Sequence, residues 1–137
     1  MNFAFYGLAA ATGRRAARPV HADQLSAATA RVQRHGGVVV ADYFDVYPDR
    51  FRPVWHCRHG RRLLQAIKEP HRDFDAVVIG DTRSTLTPYR YDELLWHCAD
   101  RDVQLWIPEI DGPIDPDSDH HRKIVNVLFW GPLATAL

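Results

Sequence analysis

The segment His56-Cys57-Arg58-His59 places three side chains able to ligate a metal within four residues, and His120-His121 beside Asp117 and Asp119 offers more. Their spacing is no recognised zinc pattern, and Arg58 sets a positive charge among the donors, so the first segment reads as a basic surface loop and no metal or other cofactor is expected. Cys57, flanked by His56 and Arg58, is a candidate nucleophile, because neighbouring positive charge lowers a thiol pKa. No partner base is visible, and the alternative is an exposed or half-buried thiol without chemistry. Cys98, inside Leu94-Leu95-Trp96-His97-Cys98, reads as core. The run Asp81-Thr82-Arg83-Ser84-Thr85 combines hydroxyls, a carboxylate and a guanidinium that can bind a phosphate. A polar turn without a ligand is the competing reading.

The arginines are clustered. Arg14, Arg15 and Arg18 form one group, and Arg50, Arg52, Arg58, Arg61 and Arg62 form a second, while Asp100 to Asp119 is mainly acidic. Seventeen basic and seventeen acidic residues cancel, so any attraction for a polyanion must come from such local patches rather than from a net field. The two clusters read either as solvated surface or as a phosphate-facing edge. Two cysteines, no hydrophobic leader and no apolar run near the ~20 residues of a membrane span give the expectation of a cytoplasmic protein with free thiols and no membrane partner.

The elements that must position these groups follow from periodicity. Asn2 to Tyr6 is apolar and aromatic and precedes Gly7, the pattern of a buried strand ending in a turn. Thr12 to Arg18 reads as loop, and Pro19 as the start of a helix reaching His35, with Val20, Leu25, Ala28 and Val32 on one face and Gly36-Gly37 as its stop. Val38 to Phe44 reads as a strand covered on both faces, Asp45 to His59 as an irregular loop, and Arg61 to Glu69 as a helix closed by Pro70. Phe74 to Gly80 is the strongest strand pattern and Asp81 to Pro88 the loop beyond it. A helix over Pro88–Asp100, a strand over Val103–Ile107 and a helix from Asp119 to about Trp130, capped by Ser118 and stopped by Gly131-Pro132, complete the chain. Alternating strands and helices over 137 residues predict a single domain, 1–137, of α/β class: a parallel four-stranded sheet between helices in three layers, working at the carboxyl ends of its strands. No G-x-G-x-x-G, Walker-type loop or G-x-S-x-G elbow is present, which removes the common nucleotide and hydrolase readings of such a sheet.

Several segments together resemble the N-terminal catalytic domain of the serine recombinases, the resolvase/invertase family, in its actinobacterial form. They are Phe5-Tyr6-Gly7, Asp23-Gln24-Leu25, His35-Gly36-Gly37 through Asp45-Val46, Arg62-Leu63-Leu64, Phe74 to Gly80, Leu105 to Glu109 and Gly112 to Ser118. The resemblance implies a resolvase-like fold and a family chemistry in which a serine attacks a phosphodiester, forming a phosphoserine link to DNA, while arginines clamp the phosphate.

The departures fall on that catalytic set. The family's Tyr-x-Arg-x-Ser, read from Tyr6, puts Leu8 at the arginine and Ala10 at the serine. The arginine before the second helix falls on Cys57, with Arg58 adjacent. Of Asp-Arg-x-x-Arg, Asp81 is kept, Thr82 and Ser84 or Thr85 take the arginine places, and Arg83 lies between them. Alanine cannot attack phosphorus, and a hydroxyl does not replace a bidentate guanidinium. The family's long dimer helix and separate DNA-binding domain also have no counterpart before Leu137. The expectation is a degenerate recombinase relative that does not cleave, with Arg14, Arg15, Arg58 and Arg83 as candidates for DNA phosphate. Weak DNA binding, an intact recombinase or a second copy are the expected partners. The alternative is an α/β domain repurposed for a small phosphate-containing ligand or a metal at the strand ends.

Overall fold

The computed structural model describes residues 1–131; Pro132 of the expected helix stop and the tail from Leu133 to Leu137 lie outside them. Four parallel strands form one sheet in the order β2-β1-β3-β4: β1 (Asn2–Ala10), β2 (Val38–Tyr47), β3 (Ala76–Ile79) and β4 (Gln104–Trp106). Helices α1 (Arg14–Arg34), α2 (Arg58–Lys68), α3 (Thr82–Thr85), α4 (Pro88–Asp100) and α5 (Asp119–Trp130) connect and cover it, with a 3-10 turn at Val54–His56. Successive β1 side chains point to opposite faces. Phe3, Phe5 and Ala9 meet Ala17, Ala28 and Val32 of α1, while Ala4 and Tyr6 meet Leu63, Leu64 and Ile67 of α2 and Leu94 of α4. Each of the larger buried aliphatics contributes about 1.5–3 kcal/mol. The α/β expectation holds: a parallel four-stranded sheet lies between two helical layers.

Strand β1 is longer than its sequence suggests. It does not turn at Gly7 but continues to Ala10, paired with β2 over its whole length, whereas β3 pairs only with Phe3 to Tyr6. Gly7 is there for a close approach: a Cβ would sit 2.5 Å from Gln24 Oε1 and 2.9 Å from Phe44 Cδ1. Where β1 overhangs β3, Gln24 of α1 takes the place of a strand, its Nε2 donating to the Leu8 carbonyl at 3.1 Å. Gln24 is buried, and Val20, expected in the core, is exposed.

Three boundaries differ from expectation. Helix α1 begins at Arg14 and takes Pro19 into its second turn, so Arg14, Arg15 and Arg18 are helical rather than in a loop. The one backbone bond forgone points to the exposed Arg15 carbonyl near the helix start, where its loss costs least. Strand β2 runs on to Tyr47, lies at the sheet edge and is not covered on both faces, since Val38 is 57% exposed and Val40 44%. Helix α2 starts three residues early, at Arg58, and a four-residue helix, α3, occupies the expected loop after β3. Helices α4 and α5 match closely: Thr87 accepts the Arg90 N–H at 3.2 Å and Ser118 accepts the His121 N–H at 3.2 Å, as N-cap residues do. No helix among the described residues is long and apolar enough to cross a membrane.

Candidate anion-binding edge

The start of α2 is fixed by a buried polar network. Cys57, its N-cap residue, offers no side-chain cap, and the carboxylate of Asp45 from β2 does the work instead. Oδ1 accepts the His59 N–H at 2.7 Å and Oδ2 the Gly60 N–H at 2.8 Å, satisfying two of the orphan donors of the first turn. Gly60 permits this contact, since a Cβ there would lie 2.5 Å from the Val54 carbonyl and 3.0 Å from Tyr6 Oη. Tyr6 Oη donates to Asp45 Oδ2 at 2.8 Å and accepts from Arg90 Nη2 at 2.6 Å. Arg90, fully buried on α4, donates further to the carbonyls of Thr85 (2.8 Å) and Arg52 (2.6 Å) and to Cys57 Sγ (3.4 Å). Burial, the largest influence on Tyr6, holds its phenol well above the usual pKa despite the guanidinium beside it, so the proton donated to Asp45 stays in place.

That network settles Cys57. The thiol is buried, donates to the Pro53 carbonyl at 3.4 Å and has its pKa raised by burial, against the opposing pull of Arg90. A low-pKa nucleophile and an exposed thiol are both excluded as readings of this residue. Cys98 is core as expected, with burial pushing its thiol up to about 12. Among the described residues, no three His, Cys, Asp or Glu side chains come together in a way that could hold a metal ion, and this includes His56, His59, His120 and His121.

The starts of α1 and α2 face one another across the end of the β2 edge, and between them lies a cleft of about 570 Å³. Arg14, Arg18 and His21 come from α1, Asp42, Phe44 and Tyr47 from β2, and Arg58 and His59 from α2. His21 stacks on Phe44, ring centroids 4.1 Å apart, with Nε2 2.8 Å from Asp42 Oδ2. Tyr47 Oη accepts the Arg58 N–H at 2.9 Å, and the Arg52 guanidinium lies 4.5 Å from the Tyr47 ring centroid. Asp42 is engaged by His21, and Asp45 is engaged by three donors. Among the described residues, the side chains of Arg14, Arg18 and Arg58 make no ion pair and no hydrogen bond within the chain. Helix α1 has no acidic residue in its first turn, so its arginines stand at the positive end of the helix dipole. Each such placement costs about 0.3–1 kcal/mol that a bound anion reverses.

Of the four residues singled out for phosphate, Arg14 and Arg58 are brought together in the cleft; Arg15 and Arg83 do not line it. Arg83 is exposed on α3, its carbonyl accepting from Arg50 Nη1. Sequence reasoning missed His21 and Tyr47, and it placed Arg18 in a loop. Positions 14, 18 and 21 have the spacing of one helical face, a signal that reading Pro19 as the helix start concealed.

Leu8 and Ala10, which the sequence resemblance places at the arginine and the serine, pair with Asp45 and Tyr47 of the cleft lining, whereas Thr82 and Ser84 lie on α3, beyond β3. Ala10 ends β1, paired with Tyr47, and Leu8 is wholly buried two residues earlier. Thr82 is buried, its Oγ1 donating to Glu109 Oε1 at 2.5 Å, and Ser84 donates to Asp81. The crevice between β1 and β3, where the strand order reverses and α/β sheets usually bind ligands, is filled: Thr85 Oγ1 donates to Gln24 Oε1 at 3.3 Å across it.

No protein-family model matches the sequence. Solved structures do match the fold. The N-terminal catalytic domain of TP901-1 integrase has 15% sequence identity and a TM-score of 0.62, over 93% of this chain and 91% of that one. A resolvase family site-specific recombinase from Streptococcus pneumoniae gives 15% and 0.67, over 93% and 85%. The fold is that of serine recombinase catalytic domains. A third neighbour, the C-terminal catalytic domain of ISC1926 TnpA, an IS607-like serine recombinase, agrees at 11% identity and a TM-score of 0.59, over 91% and 76%. At such identities the likeness establishes the fold alone.

Proposed function

We propose that the chain is a recombinase-fold DNA-binding domain that holds phosphates without cutting them. The observation that carries this reading is the cleft, where Arg14, Arg18 and Arg58 converge at two helix starts with no carboxylate partner of their own among the described residues. The backbone phosphates of DNA fit such a surface, and they supply most of the affinity in sequence-independent binding. Cleavage is set aside on chemical grounds. Ala10 has no attacking oxygen, Leu8 is apolar and buried, and Thr82 is committed to Glu109, so the positions that the resemblance assigns to the nucleophile and to these two arginines carry neither group. Association with an intact recombinase or a second copy belongs to the same reading, the domain lending its phosphate-holding arginines to a partner that cuts.

A suicide or nicked duplex incubated with the protein and resolved under denaturing conditions is expected to show no covalent adduct, while the same duplex shifts in anisotropy at low salt. A serine-linked adduct overturns the reading. The volume of the cleft favours one other occupant, because about 570 Å³ lies within the ~300–1,000 Å³ typical of small-ligand sites. A small phosphate-containing ligand that raises the melting temperature of a protein unable to bind DNA would establish that alternative.

A further inference from the structure

Next to the cleft, the loop between β2 and α2 displays two exposed rings that belong to neither core cluster. Phe51 is 75% exposed and Trp55 is 48% exposed. Their exposure is not the slackness of an unsupported loop. Asp49 Oδ1 accepts the Phe51 N–H at 2.9 Å, the buried Arg90 donates to the Arg52 carbonyl, and Glu93 of α4 accepts the Val54 and Trp55 N–H groups at 2.8 and 3.0 Å. Arg61 Nε donates to the Trp55 carbonyl at 3.0 Å, and its guanidinium lies 5.0 Å from the Trp55 ring centroid. The backbone is therefore held in place while both rings stay exposed, with Arg61 over Trp55 and Arg52 of the same loop over Tyr47. Tyr47 joins the two regions, since it lines the cleft and carries Arg52 over its ring.

Anchored aromatic faces interleaved with guanidinium groups suit one form of nucleic acid better than another. In a duplex the base faces are stacked on one another, so an exposed ring finds only phosphates and groove edges. In a single strand each base offers a free π-face, and the rings and cations can both be used. We propose that the ligand of this edge is single-stranded DNA, its bases stacking on Phe51 and Trp55 while Arg14, Arg18 and Arg58 hold its phosphates. This rests on the phosphate-binding reading of the cleft and adds to it the state of the strand.

The test is fluorescence anisotropy of the whole chain with labelled oligo-dT and with a duplex of the same length, at low salt. Oligo-dT is expected to bind more tightly than the duplex and to quench tryptophan emission. Phe51→Ala and Trp55→Ala are each expected to weaken oligo-dT binding by roughly 5- to 150-fold, the range of one base stack removed, with duplex binding unchanged. Trp55→Phe keeps a stacking face and restores most of the affinity, which separates stacking from damage to the loop. Equal affinity for both forms, with the aromatic variants silent, overturns the single-strand inference and leaves phosphate binding standing. Failure to bind either form overturns both. Tighter binding of oligo-rU than of oligo-dT overturns the assignment to DNA.

Discussion

Replacing Tyr6 by phenylalanine removes one oxygen from the centre of the buried network and leaves the ring packing intact. Two bonds vanish: Arg90 Nη2 loses its acceptor at 2.6 Å, and Asp45 Oδ2 loses a donor at 2.8 Å. Both involve a charged partner, for which the net value is about 1.5–3 kcal/mol each. The partners are not stripped bare, because Arg90 keeps the Thr85 and Arg52 carbonyls and Asp45 keeps two backbone N–H groups. The lower end of the range therefore applies, about 3 kcal/mol in total. In urea this lowers the midpoint by about 1.5 M at a slope of about 2 kcal/mol/M, with the slope unchanged. In a double-mutant cycle with Arg90→Met, the Tyr6 effect shrinks by about 1.5 kcal/mol, because one of its two partners is already gone. A loss under about 1 kcal/mol for Tyr6→Phe, or strict additivity with Arg90→Met, refutes the claim that these bonds hold α2 and α4 to the sheet.

Two further outcomes follow from the core. Burial raises the folded Cys98 pKa to about 12 from 9.0, so the folded state keeps a proton that the unfolded chain releases above pH 9. Stability is then full below pH 9 and falls as pH rises toward 12, by up to about 1.4 kcal/mol per pH unit for this thiol. Urea midpoints for Cys98→Ala, lower at neutral pH, should decline less steeply over that window; an equal decline contradicts the assignment. Gly7→Ala forces a methyl to within 2.5 Å of Gln24 Oε1 and 2.8 Å of Phe5 Cζ. It is expected to cost about 1–3 kcal/mol in chemical denaturation, and a neutral effect would contradict the close approach of Gln24 and Phe5 to Gly7.

The parts of the fold that sequence made legible are those whose signals are local. Pro88 and Ser118 announce α4 and α5 because a proline at the first helical position and an N-cap hydroxyl act within one turn. The parts that stayed hidden depend on partners distant in the chain. Gly7 looks like a turn glycine until Gln24 of α1 is seen against it, and the apolar run of β2 looks central although the strand order leaves it at the edge. Cys57 beside His56 and Arg58 suggests a reactive thiol, but Arg90 and the Pro53 carbonyl enclose it. The candidate site was half visible: arginine clustering marked Arg14 and Arg58, while their meeting across the end of β2 required α1 to begin before Pro19.

The central claim is that Arg14, Arg18 and Arg58 hold nucleic-acid phosphates. Its most direct test is the salt dependence of DNA binding by the natural protein and by a variant with all three changed to alanine. Each arginine that no longer neutralises a phosphate is expected to reduce the slope of log affinity against log salt by about 0.7–0.9, so the variant's slope should be shallower by about 2–3. Equal slopes for the two proteins, or no DNA bound by the natural protein at low salt, would contradict the account.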